Sequence, residues 1–99
     1  MTTLLLRERD TDEGLLVSVC DADVLDETFE DGEVSLYVDP DFYEGEEATE
    51  TEVADSLARC TTANIVGTES VALAVEYGFV DEENVLDLDG TRHAQLLWM

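Results

Sequence analysis

The chain contains no lysine, and its four arginines stand against 26 aspartates and glutamates, a formal net charge of -22 in 99 residues. No other sequence feature constrains the fold so strongly, because a compact state must gather those charges and their repulsion opposes it. Two outcomes satisfy the constraint: a chain that stays disordered, or a folded one in a solvent that screens. Disorder goes with too little apolar surface to offset the entropy of ordering. Here Leu, Ile, Val and Phe make up 28 of 99 residues, above the ~20% below which high net charge accompanies disorder. The chain is therefore expected to fold, and its length predicts a single domain over residues 1–99.

Screening is the remaining requirement. In about 1 M salt the Debye length falls to ~3 Å, so neighbouring carboxylates barely interact. The absence of lysine also removes long apolar stems from the surface, where high salt strengthens hydrophobic association. The acids are spread along the whole chain, as a solvated surface requires. This composition predicts a protein of an extreme halophile, an archaeon. Cys20 and Cys60, far apart in sequence, read as reduced, buried thiols rather than a disulfide framework. Residues 1–8 lack the basic and apolar regions of a signal peptide, and no apolar run nears the ~20 residues of a membrane span. The acidic surface should be repelled by anionic headgroups. A cytoplasmic protein without membrane contact is expected.

Alternation and turn chemistry place the elements. Residues 3–9 and 15–20 read as strands of a hairpin around Asp10-Thr11-Asp12-Glu13-Gly14, with Val17 and Val19 on one face and Ser18 and Cys20 on the other. Residues 21–33 read as irregular, with a short helical turn packing Val24, Leu25 and Phe29. In residues 34–39, Val34, Leu36 and Val38 alternate with Ser35 and Tyr37, a strand with one buried face that Pro40 ends. Residues 41–50 read as a polar connection. A helix starts near Thr49 or Thr51, since Thr49 with Glu52 matches a capping box, and Val53, Ala54, Leu57 and Ala58 give its apolar stripe. A second helix runs over 68–77, apolar almost all round, with Gly78 as its stop. Between the helices, Ala63-Asn64-Ile65-Val66-Gly67 is either a break or a continuation. Residues 85–88 and 92–98 form a closing hairpin around Asp89-Gly90. The prediction is α+β, a mainly antiparallel sheet of about five strands packed against two helices.

Few residues break the acidic pattern. Asp87-Leu88-Asp89-Gly90 set against a calcium loop puts Val85 and Leu96 where carboxylates are required, so a turn is the better account. Cys20, Cys60 and His93 are too scattered for a structural zinc site. No metal or cofactor is expected. The final strand holds one of the four arginines, the sole histidine and a neutral amide, with His93 and Gln95 on one face and Ala94, Leu96 and Trp98 on the other. Such a group can donate to an anion or a carbonyl, although pairing with neighbouring loops is the structural alternative. Asn64 and Gly67 suit a helix boundary, and a helix starting at Thr68, itself a suitable N-cap, would offer backbone N–H groups to an anion. The candidate binding residues are Asn64, Gly67, Arg92, His93 and Gln95, one face if the two segments meet in space.

No nucleophile–base pair is evident, since any such scheme must pass through His93. The leading expectation is a non-enzymatic module acting on a protein partner. The rival is a small enzyme or ligand-binding protein centred on His93, with carboxylates as base or orienter. RNA is the third reading. It cannot rest on a basic patch, so it would rest on stacking by Tyr37, Phe42, Tyr43 or Trp98. DNA is not expected as a partner.

Several stretches carry a family resemblance: Val19-Cys20-Asp21 with Leu25 and Phe29, Asp39-Pro40-Asp41-Phe42-Tyr43-Glu44-Gly45, Ala63-Asn64-Ile65-Val66-Gly67, Val75-Glu76-Tyr77-Gly78-Phe79-Val80, and His93-Ala94-Gln95. Together they span nearly the whole chain, which resembles the small archaeal proteins of the domain-of-unknown-function 424 family. The resemblance implies a compact α+β protein of an archaeal cytosol and supplies no activity. An association with translation or RNA-processing machinery is the functional setting it suggests.

Overall fold

The computed structural model describes residues 3–97. Strands β1 (Leu4–Thr11) and β2 (Gly14–Asp21) pair antiparallel from Leu4 opposite Asp21 to Thr11 opposite Gly14. The Thr11 hydroxyl closes their turn, accepting from the Glu13 N–H and donating to the Gly14 carbonyl. A one-turn 3₁₀ segment (Ala22–Val24) leads to a second hairpin, β3 (Thr28–Asp31) and β4 (Val34–Tyr37). Next come helix α1 (Pro40–Tyr43) and the short strand β5 (Glu46–Ala48). Asp39 caps α1 by accepting from the Asp41 N–H, and Pro40, lacking an N–H, suits its first position. Helix α2 (Glu50–Arg59), strand β6 (Thr62–Val66) and helix α3 (Thr68–Glu76) follow, then a 3₁₀ turn (Glu82–Asn84) and the hairpin of β7 (Leu86–Leu88) and β8 (Thr91–Leu97).

Six strands form one sheet in the order β5-β1-β2-β6-β8-β7, and β3 and β4 form a separate pair. All pairings are antiparallel except the central one, β2 with β6, where Leu16 lies opposite Thr62 and Cys20 opposite Val66. The α+β reading therefore holds, with more strands than five and a third, four-residue helix. Besides β6, the added elements are β3, within residues 21–33 that read as irregular, and α1 and β5, which start at Pro40 and otherwise lie in residues 41–50 that read as mere connection.

Segment 63–67 is the clearest correction. Residues 63–66 are neither a break nor a continuation of helix but belong to a central strand, with Gly67 following as the N-cap residue of α3. Thr62 and Asn64 alternate with Ala63 and Ile65, but the run is short, lies between two helices and ends in a Val66 covered by the second layer, so its period alone does not separate strand from helix join. Ala63 and Ile65 face the helices, and Val66 faces the opposite layer. In β4 the proposed buried face is only partial: Val38, just past the strand, is fully buried, whereas Val34 is 45% exposed at the hairpin tip.

The main core lies between the sheet and helices α2 and α3. Val17, Val19, Ala63, Ile65, Ala94 and Leu96 from the strands meet Val53 and Leu57 of α2 and Val71, Leu73 and Ala74 of α3. Full burial of each Val, Leu or Ile contributes roughly 1.5–3 kcal/mol relative to exposure. On α2 the buried stripe is Val53, Ser56 and Leu57, while Ala58 is exposed. Helix α3 is buried over one broad arc rather than on several sides, and Ala72 points to solvent. It ends in a Schellman motif. Gly78, at φ +80°, donates its N–H to Val75, Phe79 donates to Ala74, and Phe79 folds back on the core.

A second, smaller cluster covers part of the other sheet face. Cys20 and Val66 are buried there beneath Val24, Val38 and Tyr43, flanked by Leu5, Leu25, Phe29, Leu36 and Phe42. The β3–β4 hairpin and α1 thus roof one end of that face and leave the rest open.

Candidate interaction face

Strand alternation and register assemble this face in rows, the first two half-exposed or exposed except at Ser18, wholly buried beside Arg9. One row runs Arg7, Ser18, Asn64, Gln95 across β1, β2, β6 and β8, and the next runs Arg9, Leu16, Thr62, Leu97. A third row, Leu5, Cys20, Val66, His93 and Leu86, passes beneath the roof at its β1 and β2 end. On these four strands no aspartate or glutamate occupies this face, whereas Glu8, Asp10 and Asp21 occupy the other. In a chain with 26 acids, the absence follows the strand period, not the sequence neighbourhood.

The two candidate segments do meet, as neighbouring strands. Gln95 Nε2 donates to Asn64 Oδ1 at 2.9 Å. That leaves the Asn64 amide group and the Gln95 carbonyl for an incoming group, among the described residues. His93 lies opposite Val66 on one side and Leu86 on the other, half-buried. Burial holds its imidazole below the usual 6.5, so it is neutral near pH 7. Among the described residues no carboxylate hydrogen-bonds it.

Arg92 and Gly67 have other positions. Arg92 emerges on the opposite side of β8 from His93 and Gln95, where it pairs with Asp87 at 2.9 Å and with Glu82. Gly67 donates its N–H to the Arg92 carbonyl and takes φ +117°. A Cβ on it would lie 2.4 Å from Cγ of Asp21. That buried carboxylate accepts from the Glu69 N–H at 3.0 Å, the Ser70 N–H at 2.8 Å and the Ser70 hydroxyl at 2.6 Å. The N-terminus of α3 is therefore already filled by an anion from β2, and Gly67 rather than Thr68 is the N-cap residue.

Sequence reasoning missed Arg7 and Arg9, two of the four arginines placed two residues apart on one strand. Their spacing was the available signal. Arg7 Nη1 donates to the Asp41 carbonyl at 3.0 Å. Arg9 donates to the same oxygen at 3.0 Å, to the Phe42 carbonyl at 2.9 Å and to Ser18 Oγ at 3.3 Å. The Arg9 guanidinium lies 4.7 Å from the centroid of the Phe42 ring, a cation–π distance. Burial, and then the charge of Arg7, depress the Arg9 pKa. These bonds satisfy carbonyls of α1 and hold it against the sheet.

Cys20 is pushed up to about 12 by burial and by Asp21 and Asp23, which leaves it a thiol. The two cysteines are not joined in a disulfide: Cys20 lies in the roofed cluster and Cys60 in the helical core. No group of three among the described His, Cys, Asp and Glu residues is placed to hold a metal ion. No described helix is long and apolar enough to cross a membrane. A cleft of about 420 Å3 at the β1–β2 turn adjoins the open face at Leu16 and Thr62. Trp98, proposed as a stacking residue, lies outside the described residues.

Fold and face together define a small α+β protein whose mostly antiparallel sheet is helix-packed on one side and partly open on the other. The family model described as "Protein of unknown function (DUF424)" matches residues 8–99, and the chain belongs to that family. The crystal structure of an uncharacterized conserved protein from Methanopyrus kandleri superposes with a TM-score of 0.78 over 98% of this chain and 95% of that one, at 19% identity. That likeness establishes the fold. No curated protein matches the sequence.

Proposed function

We propose that the protein is a non-enzymatic binding module that docks on a protein partner through the acid-free face of its sheet. The observation that carries this reading is the face itself, one side of the four adjacent strands β1, β2, β6 and β8 that carries no acid, Glu47 of edge strand β5 lying beyond it, in a chain of net charge -22. A surface kept soluble by carboxylates has no need to clear them from one strand face. The core of a protein interface does, because charge there must be desolvated while a polar rim stays wet. Neutral amides at Asn64 and Gln95 and exposed Leu97 fit such a centre.

The test is affinity capture from a native extract in molar KCl. Wild type is compared with a Thr62→Glu/Gln95→Glu variant and with Ala72→Glu on the exposed side of α3. Proteins retained by wild type and by Ala72→Glu should be lost with the face variant. Equal retention by all three would reject the face.

A further inference from the structure

The four arginines divide into two kinds. Arg59 pairs with Glu8 and Asp55, and Arg92 with Glu82 and Asp87. Arg7 and Arg9 bond no carboxylate among the described residues, although 26 are available to the chain. Their guanidinium groups also converge. Arg7 Nη1 and Arg9 Nη2 each lie 3.0 Å from one carbonyl oxygen, that of Asp41, so the two like charges sit within about 6 Å, a distance at which they repel.

Holding α1 does not require both. Arg9 alone reaches the Asp41 and Phe42 carbonyls, and Arg7 adds a second donor to an oxygen already engaged. Arg7 lies at the head of the row that passes a wholly buried Ser18 to reach the amide of Asn64. The row itself carries no acid from Arg7 to Gln95, and although Glu8, Glu44 and Glu46 line the cleft beside Arg7, a guanidinium with no ion pair of its own matches an incoming oxyanion.

We infer that Arg7 and Arg9 form an anchor for an oxyanion, a carboxylate from a side chain or chain end of the protein partner. This rests on the docking reading above and names the group that fixes its register. A carboxylate is favoured over the phosphates of a nucleic acid by the rest of the molecule. One carboxylate needs a single cationic anchor, whereas a phosphate backbone needs a run of them, and among the described residues this face offers only Arg7 and Arg9.

With only four arginines and no lysine, the Nε–Hε correlations give a resolved NMR readout. Acetate, inorganic phosphate and a short oligouridylate are titrated separately at constant ionic strength in molar KCl. Acetate should produce saturable shifts at Arg7 and Arg9, with Arg59 and Arg92 unmoved, and Arg7→Gln should abolish them. Phosphate moving the same two signals supports a general oxyanion site. No acetate response, or equal shifts at all four arginines, would overturn the anchor. Oligouridylate acting on Arg7, Arg9, Asn64 and Gln95 at lower concentration than acetate would replace the protein partner with RNA. Arg7→Gln keeps Arg9 in place to hold α1, and an unchanged amide spectrum elsewhere verifies the fold. The two readings fail separately. A capture loss with Thr62→Glu/Gln95→Glu but no acetate response removes only the anchor, and an acetate response without capture loss removes the docking face.

Discussion

At Gly67 and Asp21 a single backbone dihedral and a single carboxylate join β2, β6 and α3. Gly67→Ala would put a side chain into both an unfavourable φ and the space of the Asp21 carboxylate. The strain and displaced hydrogen bonds are expected to cost about 3 kcal/mol or more, read as a lower urea midpoint in molar KCl. Asp21→Ala should cost on the order of 1–3 kcal/mol, because it leaves two backbone N–H groups of α3 without their acceptor. His93 gives a pH prediction. Its folded pKa is depressed by burial, so the unfolded chain binds the proton more readily near and below the ordinary 6.5. Its contribution is fully present above that value and is lost as the pH falls toward the folded pKa. Melting temperatures measured from about pH 7 to 5 should fall more steeply for wild type than for His93→Gln. Parallel curves would remove His93 as the titrating group.

Individual elements differ in how far their own residues specify them. The start of α2 is a local matter: Thr49 accepts from the Glu52 N–H and Glu52 accepts from the Thr49 N–H. Thr49→Ala should therefore lower stability by about 1 kcal/mol, while Thr51→Ala, on an exposed helical position, should stay within roughly 0.5 kcal/mol. Chemical denaturation of the two variants would decide between the two starts that the sequence allows. The β1–β2 and β7–β8 hairpins and the Gly78 stop are legible for the same reason, since turn residues and their partners lie within a few positions, whereas β3 (Thr28–Asp31) lies in a stretch that reads as irregular. Strand β6 is not. Its partners β2 and β8 come from distant parts of the chain, and only their presence makes residues 62–66 a strand rather than a helix join. Helix α1 is half legible: Asp39 and Pro40 are good initiation residues, but its carbonyl end is completed by Arg7 and Arg9 from β1.

The whole molecule faces its solvent with 26 acids and four arginines, two of which are tied in surface ion pairs with half-exposed or exposed carboxylates. Such pairs contribute little individually, so they do not offset the net repulsion. We propose adaptation to molar salt as the condition under which this fold is stable. Circular dichroism should show a cooperative melt in molar KCl and loosening on desalting, and an unchanged melt in low salt would end that proposal. The core needs no such help. Val17, Val19, Leu57, Ile65 and Val71 are wholly buried between sheet and helices, and salt strengthens that contribution.

By itself the sequence determined the charge regime, the α+β class, the first and last hairpins, the cap of α2 and the stop of α3. These depend on composition or on residues close in the chain. It also brought out Asn64, His93 and Gln95 as departures from the acidic background. Tertiary structure decided which departures share a face. It joined Asn64 to Gln95, turned Arg92 away to Asp87 and Glu82, occupied the α3 terminus with Asp21, and brought Arg7 and Arg9 together without a carboxylate. The physical reason is register: facing in a sheet alternates with every residue and is set by partners dozens of positions away, so an acid-free face exists only once β1, β2, β6 and β8 are side by side.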